Sequence, residues 1–327
     1  MRNKKIISIT LIICLAITAY FYNQSQNSTI RTDRRDFSIA DTSQVSLIRI
    51  TSKAPEIVLL TRIDKQNWSV NEKYKANKSA MYYLLKTLSR MEIAYPVPLS
   101  LRDNVIGNLA VKGLKVDVRM KDGSEKTFYV GSENKELTAS YMMLKNASEP
   151  YAIHIPGFRG YLSSRFFTNE YLWRDKKIMN YETQAITAIK MKYSTEDHKN
   201  ESFKIHFNDD SYRLTSMLTN EELSSNPMKV NAYKTSFQKL YAEAFVMLPL
   251  NKDSLRSSEP IFNLTVETAK EKTSLKVFHK KAHTERSASE QTIYDPERLY
   301  AYVNDNDWMI IQKNTFENVI KSLEDFK

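Results

Sequence analysis

The chain has 327 residues, 42% of them apolar, and a formal net charge of +10 from 48 basic and 38 acidic side chains. That length makes one large or two ordinary domains, with enough apolar content for a sizeable core. Cys14 is the single cysteine, which excludes a disulfide-stapled scaffold and leaves no cysteine nucleophile or cysteine-ligated metal site beyond it.

The N-terminus carries Arg2, Lys4 and Lys5, then an uncharged run from Ile6 to Tyr22. At about 1.5 Å per residue this run spans roughly 26 Å as a helix, the short limit for a hydrocarbon core of about 30 Å. Tyr20 and Tyr22 stand where aromatic rings favour the interface, and the basic leader favours a cytoplasmic N-terminus. Arg31, Arg34 and Arg35 on the far side weaken that bias. A cleaved signal needs small residues after the apolar core, whereas the chain has Tyr20-Phe21-Tyr22-Asn23-Gln24. We therefore read residues 1–22 as an uncleaved membrane anchor. A signal peptide, or a lipoprotein acylated at Cys14, are the other readings. All three put the rest of the chain outside the cytoplasm, and the anchor places it on the periplasmic side of the inner membrane.

Residues 23–36 are polar and read as a tether. Beyond them the order of elements occurs twice. Val45–Ile50 is a strand, and Ile57–Arg62 turns at Asp64 into Trp68–Val70. Asn77 is placed to cap a helix with Met81, Leu84, Leu85 and Leu88 at helical spacing. Leu114–Val118 alternates at period two and turns at Asp122-Gly123 into Thr127–Val130, the strongest hairpin signal present. Tyr141–Leu144 pairs with Tyr151–Ile155, and Phe158–Phe167 reads as a short amphipathic helix. The second set opens at Ala188–Met191. Phe203–Phe207 and Tyr212–Leu214 flank Asp209-Asp210, and Tyr233, Phe237, Leu240 and Tyr241 mark a helix. Asn263–Glu267 pairs with Thr273–Phe278, and Tyr300–Val303 with Trp308–Ile311. Phe316, Val319, Ile320 and Leu323 mark a terminal helix. The expected fold is α+β: an N-terminal membrane helix, then two tandem repeats over 37–175 and 176–327, each of mostly antiparallel strands with two helices.

Trp68-Ser69-Val70, Lys73-Tyr74-Lys75-Ala76-Asn77, Phe128-Tyr129-Val130-Gly131, Tyr151-Ala152-Ile153-His154-Ile155-Pro156-Gly157-Phe158 and Trp173-Arg174-Asp175 resemble Bacteroidetes proteins of the domain-of-unknown-function 4340 family. The resemblance covers most of the chain and is strongest from Phe37 to Asp175. It implies a two-fold repeat and an envelope role, with relatives linked to auxiliary parts of ABC transport systems of the gliding-motility type. It implies no activity and no functional residue.

No motif carries an enzyme. With six glycines there is no phosphate-binding glycine loop and no nucleophile elbow. His279 and His283 are four apart, but Lys280 and Lys281 between them repel a cation, so a loop is the plainer reading. His154 alternates with Ile153 and Ile155 as a strand histidine. Asp209-Asp210 and Asn304–Asp307 are turn chemistry rather than a calcium loop. We expect no catalytic residue, no metal and no cofactor.

The most unusual stretch runs from Ile155 to Phe167, with two of the six glycines, two arginines and four aromatics. Arginine and aromatic residues are enriched at binding hot spots. Its plain reading is a helix start whose Phe158, Tyr161, Leu162 and Phe166 face the core. Its functional reading makes Arg159 and Arg165 partner contacts, with Arg174 nearby in Trp173-Arg174-Asp175, itself most simply a packing corner. The sequence-based expectation is a membrane-anchored, non-enzymatic envelope protein that binds or scaffolds a membrane protein complex, plausibly of the ABC transport type. The alternatives are a polysaccharide- or lipid-binding domain and, behind it, a hydrolase. Basic and acidic residues are interleaved, which argues against nucleic acid as the partner. Oligomeric state is not legible.

Overall fold

The computed structural model describes residues 36–54, 56–208, 211–247, 255, 257–282 and 294–327. The anchor reading of residues 1–22 lies outside these, as do Asp209-Asp210 and His283. Among the described residues, no helix is long and apolar enough to cross a membrane. The chain divides into two compact units between Arg174 and Asp175.

In the first unit nine antiparallel strands form one sheet: β1 (Val45–Thr51), β2 (Ile57–Arg62), β3 (Trp68–Val70), β4 (Tyr74–Lys75), β5 (Glu92–Pro96), β6 (Leu114–Met120), β7 (Glu125–Glu133), β8 (Ser140–Leu144) and β9 (Tyr151–His154). Their spatial order is β4-β3-β2-β1-β6-β7-β8-β9-β5. Alternation decides the faces. Ile48, Ile50, Val58, Leu60, Val116, Val118, Phe128, Val130 and Met142 are buried in one cluster, together with Met81, Leu84 and Leu88 of helix α1 (Lys78–Arg90). The other face of β7 and β8 presents Tyr129, Tyr141 and Met143, which pack against Val105 and Leu109 of helix α2 (Leu99–Lys112).

Local chemistry sets the helix ends. The Asn77 side chain accepts from Ser79 N and Ala80 N, as an N-cap does. Helix α2 stops at Gly113, where a Cβ would lie 2.4 Å from Leu109 O, so only glycine fits. Strand β5 is exposed along most of its length and ends at Pro96, which suits the edge it occupies.

In the second unit the sheet contains β11 (Ile186–Tyr193), β12 (Phe203–Asn208), β13 (Ser211–Ser216), β15 (Ala244–Phe245), β16 (Phe262–Thr268), β17 (Lys272–Lys281), β18 (Tyr294–Val303) and β19 (Asp307–Gln312). Their order is β13-β12-β11-β16-β17-β18-β19-β15, all pairs antiparallel. This matches β3-β2-β1-β6-β7-β8-β9-β5 of the first unit strand for strand. After the one-turn helix α3 (Glu170–Trp173) of the first unit, helix α4 (Pro227–Thr235) falls between β13 and β15 as α1 falls between β4 and β5, and β10 (Lys177–Met179) pairs with β14 (Leu240–Tyr241) in a separate ribbon. Tyr233 of α4 meets Phe203, Phe237 and Phe326 edge-on at 5.2–5.9 Å between ring centroids, and its hydroxyl donates to Val319 O.

Three readings of the sequence need correction, and one helix was missed. Residues 158–167 are not an amphipathic helix. They hold one 3-10 turn, Ser163–Arg165, because Gly157 and Gly160 take positive φ values of 77° and 138°, and no helix propagates through them. The helix with Tyr233 ends at Thr235. Phe237 lies in the following turn, and Leu240 and Tyr241 form β14. The terminal helix is broken. Helix α5 covers only Lys313–Phe316, and a 3-10 turn, Leu323–Phe326, restarts at Ser322, whose N–H and hydroxyl both donate to Asp325. Helix α2 itself was not read from the sequence.

Candidate partner-binding surface

The residues around the Arg-rich stretch of the first unit are positioned by two elements. Helix α1 turns Met81, Leu84 and Leu88 into the core, so Tyr82 and Tyr83 point outward and are 57% and 54% exposed. The segment after β9 is pinned by backbone N–H groups of Leu162 and Ser163, which both donate to the buried Ser140 Oγ. Leu162 and Phe166 are buried there, whereas Phe158 remains 38% exposed. Gly160 permits this shape, since a Cβ there would meet the Phe158 ring at 3.1 Å.

Arg165 joins the two elements. Its Nη1 donates to Thr87 Oγ1 at 2.8 Å, and its guanidinium carbon lies 4.4 Å from the Phe158 ring centroid and 6.0 Å from that of Tyr83. Tyr82 and Tyr83 contact edge-to-face at 5.4 Å, and the Lys86 ammonium sits 5.4 Å from the Tyr82 centroid. The result is one contiguous patch of exposed rings and cations. Burial lowers the proton affinity of Arg165.

The three arginines singled out in the sequence thus have different surroundings. Arg159 is exposed. Arg165 is half-buried in the patch. Arg174 is 5% exposed, with its guanidinium 3.6 Å from the Tyr74 centroid and its Nη1 3.9 Å from Glu170, so its fork is engaged inside the unit rather than offered on the surface. Trp173 is wholly buried, stacked on Phe167 at 4.1 Å, and its Nε1 donates to Phe167 O. Tyr82, Tyr83, Lys86 and Thr87 were missed from sequence. The available signal was a Tyr-Tyr pair off the apolar stripe of a well-marked helix.

In the second unit a pocket of about 470 Å³ lies among Tyr193, Phe262, His279, Leu299, Lys313 and Ile320. His279 is stacked on Tyr294 at 4.3 Å. Burial, and then the Lys313 ammonium, hold its pKa below the usual histidine value, so at neutral pH it is an uncharged wall residue. His154 ends β9 half-buried, opposite Glu92 of β5. Among the described residues no group of three or more His, Cys, Asp or Glu side chains is placed to hold a metal.

The fold is that of an α+β protein with two antiparallel sheet units of one strand order. The sequence model of the family described as "Domain of unknown function (DUF4340)" matches residues 68–260, from β3 of the first unit to the residue pair before β16 of the second. The chain belongs to this family. No curated protein and no solved structure matches it.

Proposed function

We propose that the chain is a membrane-anchored, non-enzymatic envelope protein whose two units, tandem copies of one fold, bind or scaffold a membrane protein complex. The apolar run Ile6–Tyr22 would hold it in the inner membrane with both units in the periplasm. The resemblance to Bacteroidetes relatives makes an ABC-type transport complex the favoured partner. One observation carries the reading. Tyr82, Tyr83 and Phe158 are large aromatic side chains left in solvent around a half-buried arginine, and aromatic–arginine clusters are the composition of interface hot spots. A core use of these rings would have buried them.

The test is photocrosslinking in intact cells, with the photoreactive residue at Tyr83 or Phe158 and, as control, at exposed Lys121 in the β6–β7 turn. The expected result is an adduct with a membrane-complex subunit from positions 83 and 158, absent from 121 and reduced by Arg159→Ala. Equal labelling from all three positions, or none from 83 and 158, rejects this surface as the interface.

A further inference from the structure

We infer that the Arg165 surface takes an acidic segment of its partner, with a carboxylate seated on the Arg165 guanidinium between Phe158 and Tyr83; this rests on the reading of the patch as an interface. The two segments that form the patch carry basic residues and no acidic ones. Residues 78–91 and 155–169 contain Lys78, Lys86, Arg90, Arg159 and Arg165 and no Asp or Glu; the carboxylates that adjoin them, Glu56 against Thr168 and Asp64 in the field of Lys78, come from other segments. Four basic side chains elsewhere in the same unit do have a carboxylate partner: Lys115 with Asp117, Arg119 with Glu125, Lys126 with Asp36 and Arg102 with Glu149. Among the described residues no ion pair engages Lys86, Arg159 or Arg165.

Arg165 is also prepared for a carboxylate. A guanidinium has five N–H donors, and one of them, at Nη1, is used on Thr87. That bond and the two flanking rings fix the plane of the fork, so little rotamer freedom remains to be lost when a bidentate acceptor arrives. Arg165 is half-buried, so part of its hydration is already lost, and an anion there offsets the desolvation. The rings around it exclude water from the contact. A flat anionic bilayer would meet Tyr82, Tyr83 and Phe158 first and leave the half-buried Arg165 behind them.

The test uses the full chain in a neutral detergent and two fluorescently labelled synthetic peptides, one alternating Glu with Leu and the other Gln with Leu. Binding is read by anisotropy. The expected result is that the Glu peptide binds, that binding weakens about tenfold or more in Arg165→Gln, and that it falls as salt rises, while the Gln peptide does not bind. Because Arg165 also holds the buried Thr87, the variant Lys86→Gln with Arg159→Gln provides a second measure at two side chains that hold no buried partner, Lys86 contacting only the exposed Tyr82 hydroxyl, and it should weaken the Glu peptide several-fold. Equal binding of both peptides, or no binding of the Glu peptide, overturns the inference. So does a Glu peptide signal that neither variant changes, or one lost only because phosphatidylglycerol in mixed micelles occupies the same surface. Failure here together with crosslinking at positions 83 and 158 leaves the interface standing with a partner of other chemistry. Failure of both removes the interface.

Discussion

Arg165 Nη1 donates to Thr87 Oγ1 at 2.8 Å, and the same Thr87 hydroxyl donates to Tyr83 O at 2.8 Å. A fully buried threonine thereby ties a residue of the loop after β9 to the helix that carries the exposed tyrosines. The bond converts two segments 78 residues apart in sequence into one surface.

Thr87→Val retains the side-chain shape and removes the acceptor. The Arg165 donor is left unmet in a half-buried position, which should cost about 1–3 kcal/mol. Urea unfolding in a Trp308→Phe background reads this directly, since Trp68 and Trp173 then report the first unit alone. A loss below about 0.5 kcal/mol, the range of ordinary surface changes, would show that the bond contributes little.

Leu84 and Leu85 are neighbours on α1 with different fates. Leu84 is 1% exposed in the core, whereas Leu85 is partly buried at its margin. Leu84→Ala should cost about 2–5 kcal/mol, and Leu85→Ala clearly less. Leu240, 2% exposed, should behave like Leu84 although it sits on a two-residue strand and not on a helix. Equal losses at 84 and 85 would mean the helix is rotated from the orientation described.

Asn77 caps α1 through its side chain, and its backbone N–H donates to Trp173 O at 2.7 Å. Asn77→Ala removes the first contact and keeps the second. The expected loss is about 0.5–2 kcal/mol, whereas Asn77→Ser, a residue of similar capping strength, should restore most of it. An alanine variant as stable as the parent would place the helix start elsewhere.

Glu243 accepts from Arg298 Nε at 2.8 and 3.1 Å. That hydrogen bond is the main cause holding its pKa below the ordinary glutamate value. A depressed folded-state pKa means the contribution is complete above the unfolded pKa of about 4.3. It is lost as pH falls below that value through the folded pKa. The pair is partly exposed, so its share stays at or below about 1 kcal/mol. Comparing parent and Glu243→Gln by urea unfolding from pH 7 to pH 3 should show the parent losing its advantage in the acid range. Parallel pH curves for the two proteins would remove Glu243 from the acid response.

Strand pairing was legible where alternation and a turn signal coincide. Asp122-Gly123 between two alternating runs gave the β6–β7 hairpin, and there the Asp122 carboxylate accepts from Ser124 N and Gly123 takes φ 87°. Asn77 before a 3.6-period stripe gave α1. Where an apolar stripe had no stop signal the reading overran, as at Phe237 and Leu240, where Leu240 buries itself by pairing with β10. The stretch Ile155–Phe167 was conspicuous by composition, but its shape depends on two glycine dihedrals and on Ser140, whose hydroxyl anchors it from another strand.

The sequence by itself determined the apolar N-terminal run, the order of hairpins, the core stripe of α1 and the lack of any metal-spaced or nucleophile motif, because each of these is written in contiguous residues at a fixed period. Tertiary structure alone decided that two sheets share one strand order, that Arg174 is buried while Arg159 is exposed, and that Tyr82 and Tyr83 stand beside Arg165. These relations join residues far apart in the chain. They follow from which faces the sheet and helix bury together, and no local period in the sequence encodes that choice.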